Sequence, residues 1–252
     1  MQKNHKGLIA ILQLAVIVIF VVGIYLFLHK EDSSQDSVQL QSSSSTSTNS
    51  SVSPTTTSAL PDVSSSDWEL VLVNRDNITE EMNPDLTDIS GILVDSRISE
   101  NVLNFLAAAQ AIDSNEHLIS GYRSVAYQED LYKSYVNQEM ANDPTLTQEA
   151  AEELVQTYSQ PAGASEHQTG LAIDMSTVNS LNESDSTVTS QVQALAPEYG
   201  FILRFPDGKT DSTGVGYEDW HYRYVGVDSA KYMTENNLSL EEYTALLKEN
   251  NQ

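Results

Sequence analysis

The sequence predicts an α+β domain with a small, mostly antiparallel sheet and flanking helices, preceded by one N-terminal transmembrane helix and a disordered linker. A long apolar run near the N-terminus is followed by a Ser/Thr-rich segment of low complexity. Beyond it, strand-like and helix-like segments mix without the regular alternation of parallel α/β folds and without a repeat. The predicted boundaries are residues 1–30 for the cytoplasmic stub and anchor, 31–66 for the linker and 67–252 for the globular domain.

The N-terminal segment has basic flanks around an apolar run. Only Gln13 and Gly23 interrupt residues 8–28, and at 1.5 Å per residue this run spans about 31 Å, which matches a bilayer core. Lys3 and Lys6 precede the run and the acidic residues follow it, which predicts a cytoplasmic N-terminus and an extracellular domain. The alternative is a cleaved signal peptide and a secreted protein. The length of the run and the lack of an A-x-A-like site favour the single-pass anchor.

Composition excludes several classes of function. The 252 residues include 36 acidic and 12 basic side chains, a formal charge of -24, and three of the basic ones lie in the first 30 residues. So acidic a domain is not expected to bind nucleic acid. The chain has no cysteine, so disulfides, thiolate metal sites and cysteine nucleophiles are excluded. Residues 31–66 hold too few apolar side chains to offset the entropy of ordering, which predicts a flexible tether.

Strands are predicted where β-branched and aromatic residues cluster between turn signals. Four such segments are WELVLVNR (68–75), HLISGY (117–122), FILRF (201–205) and WHYRYVG (220–226). A fifth strand, residues 171–175, alternates three apolar side chains on one face with Ala172 and Asp174 on the other. Asp174 is therefore a carboxylate on an otherwise small-residue face.

Helices are predicted where apolar residues recur at helical spacing. The expected helices cover residues 96–112, 125–140, 146–158 and 190–200, with a last one that opens at Ser239. Ser124 is the candidate N-cap of the second helix. Thr145 with Gln148, and Ser239 with Glu242, have the spacing of capping boxes. These caps fix where three of the helices should begin.

A histidine and an aspartate lie seven positions apart in GASEHQTGLAIDMS, residues 163–176. His167 precedes the predicted strand, and Gly170 lets the chain bend so that the imidazole can approach Asp174. Taken alone, this pair fits two metal ligands, a buried ion pair or a hydrogen-bonded core histidine.

A second segment, GVGYEDWHYRYVG (214–226), contains Glu218 and His221. Of the five histidines, two flank the apolar run and three remain in the globular domain, where two fall in these segments. A His-Asp-His set leaves a tetrahedral Zn²⁺ one open position for water, as in catalytic zinc sites. Glu218 is then a spare carboxylate, expected in the turn before the strand.

Together these motifs resemble a known family. S-x-H-x-x-G-x-A-x-D in SEHQTGLAID and E-x-W-H in EDWH, with SGYRS upstream and GFILRFPDGKTDSTGVGYE between them, resemble the VanY-type D-alanyl-D-alanine carboxypeptidases and related L,D-carboxypeptidases. The resemblance covers residues 68–228. It implies a hedgehog/D-Ala-D-Ala peptidase fold and a zinc peptidase that removes a C-terminal D-alanine from peptidoglycan stem peptides. The protein is expected to be a monomer.

The resemblance also implies roles for individual residues. The implied Zn²⁺ ligands are His167, Asp174 and His221. Glu218 would be the general base, Arg123 a catalytic and substrate-binding residue, and Ser165, Tyr122 and Gln128 further substrate contacts. Asp219 departs from many relatives, which have proline there, and should loosen the turn without removing a reacting group. Arg204 is expected to be structural.

Two functions other than a carboxypeptidase would use the same pocket. A non-catalytic peptidoglycan-peptide-binding module is expected to lack a ligand or the base, and here all four positions are filled. A zinc endopeptidase of the same fold would cut within wall peptides. The choice between pentapeptide and tetrapeptide substrates, D,D versus L,D, stays open because it depends on loops that the sequence does not place.

Overall fold

The computed structural model describes residues 59–179 and 183–252, so the predicted anchor and most of the predicted linker lie outside the described residues. The chain divides into units Met1–Thr55 and Thr56–Gln252, and the second holds all the described residues. Among the helices of this described part, none has the length and apolarity needed to cross a membrane.

The described part has an α+β fold, as predicted. Its strands are β1 (Leu86–Ile89), β2 (Ile92–Asp95), β3 (His117–Ser120), β4 (Ala172–Ser176), β5 (Phe201–Leu203) and β6 (His221–Tyr224). Its helices are α1 (Ser99–Ile112), α2 (Val125–Asn142), α3 (Gln148–Val155), α4 (Ser186–Leu195), α5 (Thr210–Thr213), α6 (Val227–Glu235) and α7 (Leu240–Glu249). Strands β1 and β2 form an antiparallel hairpin, and the other four form an antiparallel sheet in the order β3-β4-β6-β5.

The register of the four-stranded sheet brings the predicted ligands together. Asp174 of β4 is opposite His221 of β6 on one side and Ser120 of β3 on the other. Residues directly opposite on neighbouring strands share a face of the sheet. Asp174 and His221 therefore lie side by side at the centre of the sheet.

The opposite face of β4 packs on the main apolar core. Leu171, Ile173 and Met175 are buried there, as their alternation predicts, against the apolar face of α1. Phe105 of α1 stacks on Phe201 of β5, with ring centroids 5.0 Å apart. This core supports the sheet on the side opposite Asp174 and His221.

A second apolar cluster lies under α6 and α7, and it includes Leu70 and Val225. Leu60 and Val63 pack against it. The packed chain therefore begins before Asp67, the start that composition indicates.

Most predicted helices are present with small shifts of their ends. Residues Ser96–Ile98 form a 3₁₀ turn, so α1 proper starts at Ser99. The Ser124 hydroxyl accepts a hydrogen bond from the Tyr127 amide, which confirms it as the N-cap of α2. The capping box of Ser239 and Glu242 is also present at α7.

The predicted strand over residues 68–75 is wrong. Trp68–Leu70 form a 3₁₀ turn, and the chain then continues without regular structure. The carbonyls of Glu69 and Val71 each accept a hydrogen bond from Arg223 Nη2 at 2.9 Å. A buried guanidinium thus takes the place of a neighbouring strand as the partner of these carbonyls.

The capping box predicted for α3 is also wrong. The side chain of Thr145 donates to Asp143 at 2.7 Å, and Thr147 is the N-cap, accepting from the Ala150 amide at 3.1 Å. Helix α3 is shorter than predicted at both ends.

The sequence prediction missed the β1–β2 hairpin and helix α6. Ser90 and Gly91 turn the hairpin with φ angles of 56° and 91°. Positive φ at both central residues is the mark of a type I′ turn, which matches the twist of paired strands. Because serine rarely adopts this conformation, the Ser-Gly pair is a weaker hairpin signal than Asn-Gly.

Candidate metal centre

His167 is placed by a tight turn just before β4. It lies in the 3₁₀ segment Glu166–Thr169, which Gly170 ends with φ of 70°. Its Nδ1 is 2.6 Å from the Gly121 carbonyl oxygen, so Nδ1 carries the proton and donates. Nε2 is left unprotonated and faces Asp174 Oδ1 at 3.4 Å.

His221 approaches the same oxygen from β6. Its Nδ1 is 3.4 Å from Asp174 Oδ1, and one ligand atom from each of His167, Asp174 and His221 lies within 4.8 Å of the others. The three predicted ligands are thus brought together, all buried.

This cluster fits a tetrahedral metal ion. Two ligand atoms bound at about 2.05 Å in tetrahedral geometry would be roughly 3.3 Å apart, and Asp174 Oδ1 is 3.4 Å from His167 Nε2 and 3.4 Å from His221 Nδ1. Asp174 Oδ1 is buried and has no hydrogen-bond partner among the residues that the structure describes. Buried polar atoms are rarely left unsatisfied, so this oxygen is poised for a cation. Two imidazoles and one carboxylate are ligands that zinc accepts.

The charges around the cluster keep Asp174 ionised. Burial would raise the pKa of Asp174, but His167, His221 and Arg123 outweigh burial and hold that pKa below its usual range. Burial, followed by the charge of Arg123, lowers the pKa of His167. A neutral imidazole and an ionised carboxylate are the forms that bind a metal.

Glu218 lies in the loop before β6, as predicted. Its amide donates to the Phe205 carbonyl at 3.1 Å, and its Oε2 is 3.6 Å from His221 Nδ1. The side chain is buried. Burial and the charge of Asp174 raise the pKa of Glu218 well above its ordinary value. This carboxylate is beside the ligand set and disposed to take up a proton.

Arg123 lies on the rim of the cluster, after β3. Its Nη1 donates to Ser120 Oγ at 3.0 Å and is 3.6 Å from Asp174 Oδ2, and its Nε donates to Gln128 Oε1 at 3.0 Å. Nη2 makes no hydrogen bond within the described residues, and the side chain is 20% exposed. One edge of the guanidinium is therefore open to a ligand.

The other predicted substrate contacts have different surroundings. Gln128 is buried, and its Nε2 donates to the Gln160 carbonyl at 2.6 Å, so its amide is occupied in holding Arg123 and the 159–160 loop. The Tyr122 hydroxyl donates to Glu81 at 2.9 Å. Ser165 is buried immediately before the His167 turn, and its hydroxyl makes no hydrogen bond within the described part of the chain. Ser165 is the freest of the three to meet a ligand.

Sequence reasoning missed one residue of the centre. Glu166 is buried, and its Oε1 accepts from Arg204 Nε and from Arg223 Nη1, each at 2.8 Å. Burial would raise the pKa of Glu166, but the two guanidiniums hold it below its usual range. Arg204 also pairs with Glu241, which agrees with its predicted structural role.

Comparisons with known proteins find similarity to D-alanyl-D-alanine carboxypeptidases. Residues 91–227 match the family model of VanY, D-alanyl-D-alanine carboxypeptidase. A D-alanyl-D-alanine carboxypeptidase of Enterococcus faecalis is 35% identical over 191 residues, covering 75% of this chain and 70% of the relative.

Solved structures agree with this match. VanYB in complex with D-alanine-D-alanine is 34% identical, with a TM-score of 0.65 over 71% of this chain and 98% of the other. A mutant of the vancomycin resistance D,D-pentapeptidase VanY from a VanB-type cassette, in complex with Zn(II), is 34% identical, with a TM-score of 0.63 over 70% and 99%. With a family match over more than half its length, and with the His-Asp-His cluster at the centre of its sheet, the chain belongs to the VanY family of D-alanyl-D-alanine carboxypeptidases.

Proposed function

We propose that this protein is a zinc-dependent carboxypeptidase that removes a C-terminal D-alanine from peptidoglycan stem peptides. The observation that carries the proposal is a buried His-Asp-His cluster, with Glu218 and Arg123 beside it and with one carboxylate oxygen that has no hydrogen-bond partner in the described part of the chain. The relatives named above, one bound to D-alanine-D-alanine and one to Zn(II), support the substrate and the metal.

His167, Asp174 and His221 would hold the ion. When bound, Zn²⁺ supplies Lewis acidity toward the scissile carbonyl and toward water. Glu218 then accepts a proton from the attacking water and returns it to the leaving amine, a role that typically contributes about 10²–10⁴-fold. Glu218 lies outside the His-Asp-His group, and its Oε2 is 3.6 Å from His221 Nδ1, so in this proposal it acts on the water and is not a ligand.

Arg123 recognises the substrate in this proposal. A peptide with a free C-terminus presents a carboxylate, and an arginine with open N–H donors binds it with a directed, charge-assisted hydrogen bond. Gln128 and Ser120 fix the guanidinium beside Asp174 through Nε and Nη1, which leaves Nη2 to bind the substrate carboxylate. The Ser165 hydroxyl is a second donor beside the His167 turn. This geometry favours removal of a terminal residue over internal cleavage.

The test compares the full-length chain with Glu218→Gln. Glutamine keeps the size of the side chain but does not accept the proton, so we expect turnover to fall at least about 10²-fold while zinc content and peptide affinity survive. Glu153→Gln, at an exposed carboxylate on α3, controls for the loss of one charge. Loss of zinc in Glu218→Gln would make Glu218 a ligand, and full turnover would remove it from the mechanism.

Substrate choice is read from the same assay with synthetic tri-, tetra- and pentapeptide stems and mass spectrometry of the products. D-alanine release from the pentapeptide supports D,D activity, and release from the tetrapeptide alone would establish L,D activity. A binding module would bind the stems without releasing D-alanine, and an endopeptidase would cut a cross-linked stem dimer instead.

We also propose that residues 8–28 anchor the protein as a single-pass span with the enzyme outside the cell. The basic N-terminal flank and the acidic remainder support this orientation. The protein should stay in the membrane fraction with an intact N-terminus, and external protease should release the domain by cutting in residues 31–66. A mature N-terminus beyond Leu28 in the medium would establish signal cleavage instead.

A further inference from the structure

Glu166 joins the metal cluster to a buried ionic network. Its side chain is 2% exposed, and Oε1 is fully engaged by Arg204 and Arg223. The second oxygen, Oε2, lies 3.6 Å from His221 Nε2. The proposed chemistry uses neither oxygen of this carboxylate.

The facing atoms of Glu166 and His221 have no hydrogen-bond partners in the described part of the chain. Within the described residues, Glu166 Oε2 and His221 Nε2 are both buried and make no hydrogen bond. A buried polar atom without a partner costs about 1–3 kcal/mol. Their separation exceeds hydrogen-bond length by only a few tenths of an ångström. A small rotation of the imidazole would satisfy both atoms at once.

We propose that Glu166 is a positioning residue for His221. Its Oε2 accepts a hydrogen bond from Nε2–H of His221, which fixes the ring in the tautomer whose Nδ1 faces Asp174 at 3.4 Å. The inference rests on the zinc site of the proposed function. Metal-binding histidines typically donate their other N–H to a carboxylate or carbonyl in this way.

His167 is also held by a hydrogen bond from the ring nitrogen that does not bind the metal, but the roles of its two nitrogens are exchanged. Its Nδ1 donates to the Gly121 carbonyl at 2.6 Å, which leaves Nε2 for the cluster. The two histidines therefore present opposite nitrogens to the metal position. By accepting a hydrogen bond from Nε2–H, Glu166 makes His221 bind the metal through Nδ1.

The two arginines explain how Glu166 keeps one oxygen for His221. They saturate Oε1 and offset a third carboxylate placed near Asp174 and Glu218. In Glu166→Gln the amide oxygen would turn toward the guanidiniums, because two N–H groups facing an arginine repel it. The amide N–H₂ would then donate to His221 Nε2 and favour the wrong tautomer for metal binding.

Glu241 supplies a matched control. It belongs to the same network through Arg204, with contacts of 2.9 and 2.6 Å, and within the described residues His221 forms ion pairs with Glu166, Asp174 and Glu218 but not with Glu241. Glu241→Gln therefore removes one charge from the network and leaves the imidazole partner in place. A purely structural role for Glu166 predicts that both variants behave alike.

The experiment measures zinc affinity of the full-length chain by competition with a chromogenic chelator, together with thermal unfolding. We expect Glu166→Gln to lower zinc affinity about 10–100-fold, and Glu241→Gln to lower the unfolding temperature without changing zinc affinity. Equal zinc affinity in Glu166→Gln and the wild type, or equal losses in both variants, would overturn the inference.

A second measurement needs no variant at position 166. In ¹⁵N-histidine-labelled protein loaded with zinc, imidazole NMR should show one zinc-bound histidine through Nε2 and one through Nδ1 with Nε2 protonated. Two histidines bound through Nε2 would overturn the inference while leaving the zinc enzyme intact. A wild-type chain that binds no zinc would contradict the proposed function itself.

Discussion

Glu116, the residue before β3, offers a quantitative test of how burial and neighbouring charges change the pKa of a carboxyl group. The residue is 3% exposed, and its Oε2 has no hydrogen-bond partner within the described chain. Burial, with the charges of Asp113 and Asp219, raises the pKa of Glu116 from its ordinary 4.5 to about 7. The folded state therefore binds a proton that the unfolded state releases between these two pH values.

The direction of the pH effect follows from this proton. Because the raised pKa belongs to the folded state, stability is fully present below pH 4.5 and is lost as pH rises through about 7. A difference of about 2.5 pKa units corresponds to about 3 kcal/mol. Glu116→Gln has no carboxyl to ionise, so we expect its advantage in unfolding free energy over the wild type to grow by about 3 kcal/mol between pH 4.5 and pH 8.

Urea unfolding of the full-length chain, followed by tryptophan fluorescence at several pH values, measures this difference. Other titrating groups are common to both proteins and cancel in the comparison. Glu153→Gln, at an exposed carboxylate, serves as the control for removing a charge. A difference between Glu116→Gln and the wild type that stays constant across this pH range would refute the reasoning.

Three further predictions concern the metal centre. Wild-type protein should bind zinc one-to-one, and elemental analysis should find less zinc in each of the three ligand variants, His167→Ala, Asp174→Ala and His221→Ala; full zinc in all three would show that the ligands are wrongly assigned. Gly170→Ala should destabilise the domain by about 1–3 kcal/mol and weaken zinc binding, because φ is 70° and a Cβ there would lie 2.8 Å from the Asp95 amide; an unchanged unfolding temperature contradicts this. Arg123→Lys should lower kcat/KM about 10–100-fold with zinc content intact, since a charged hydrogen bond contributes roughly 1.5–3 kcal/mol; kcat/KM equal to that of the wild type would exclude carboxylate recognition by Arg123.

Structural features that depend only on neighbouring residues, such as strand alternation and helix caps, can be predicted from the sequence. The alternation of Leu171, Ile173 and Met175 with Asp174 is complete within five residues, and its burial follows from the period of a strand. The cap at Ser124 is equally local. Such features need no knowledge of distant contacts.

Glu166 shows why the rest could not be predicted. A glutamate in a polar stretch gives no sign of burial, because its partners Arg204 and Arg223 are 38 and 57 positions away. The same limit applies to Tyr122, whose hydroxyl meets Glu81 across 41 positions. Its predicted substrate contact stays a prediction. Long-range pairing of charges depends on topology, which residue patterns do not encode.

The hydrogen bonds of Arg223 set a practical limit on how far the chain can be shortened from its N-terminus. Its Nη1 donates to Glu166, and its Nη2 donates to the carbonyls of Glu69 and Val71. A recombinant fragment that starts after Val71 would strip two acceptors from a buried cation that also braces the metal cluster. Fragments intended for crystallisation or inhibitor screening should therefore begin upstream of Trp68, even though Glu69 and Val71 have no part in the proposed chemistry.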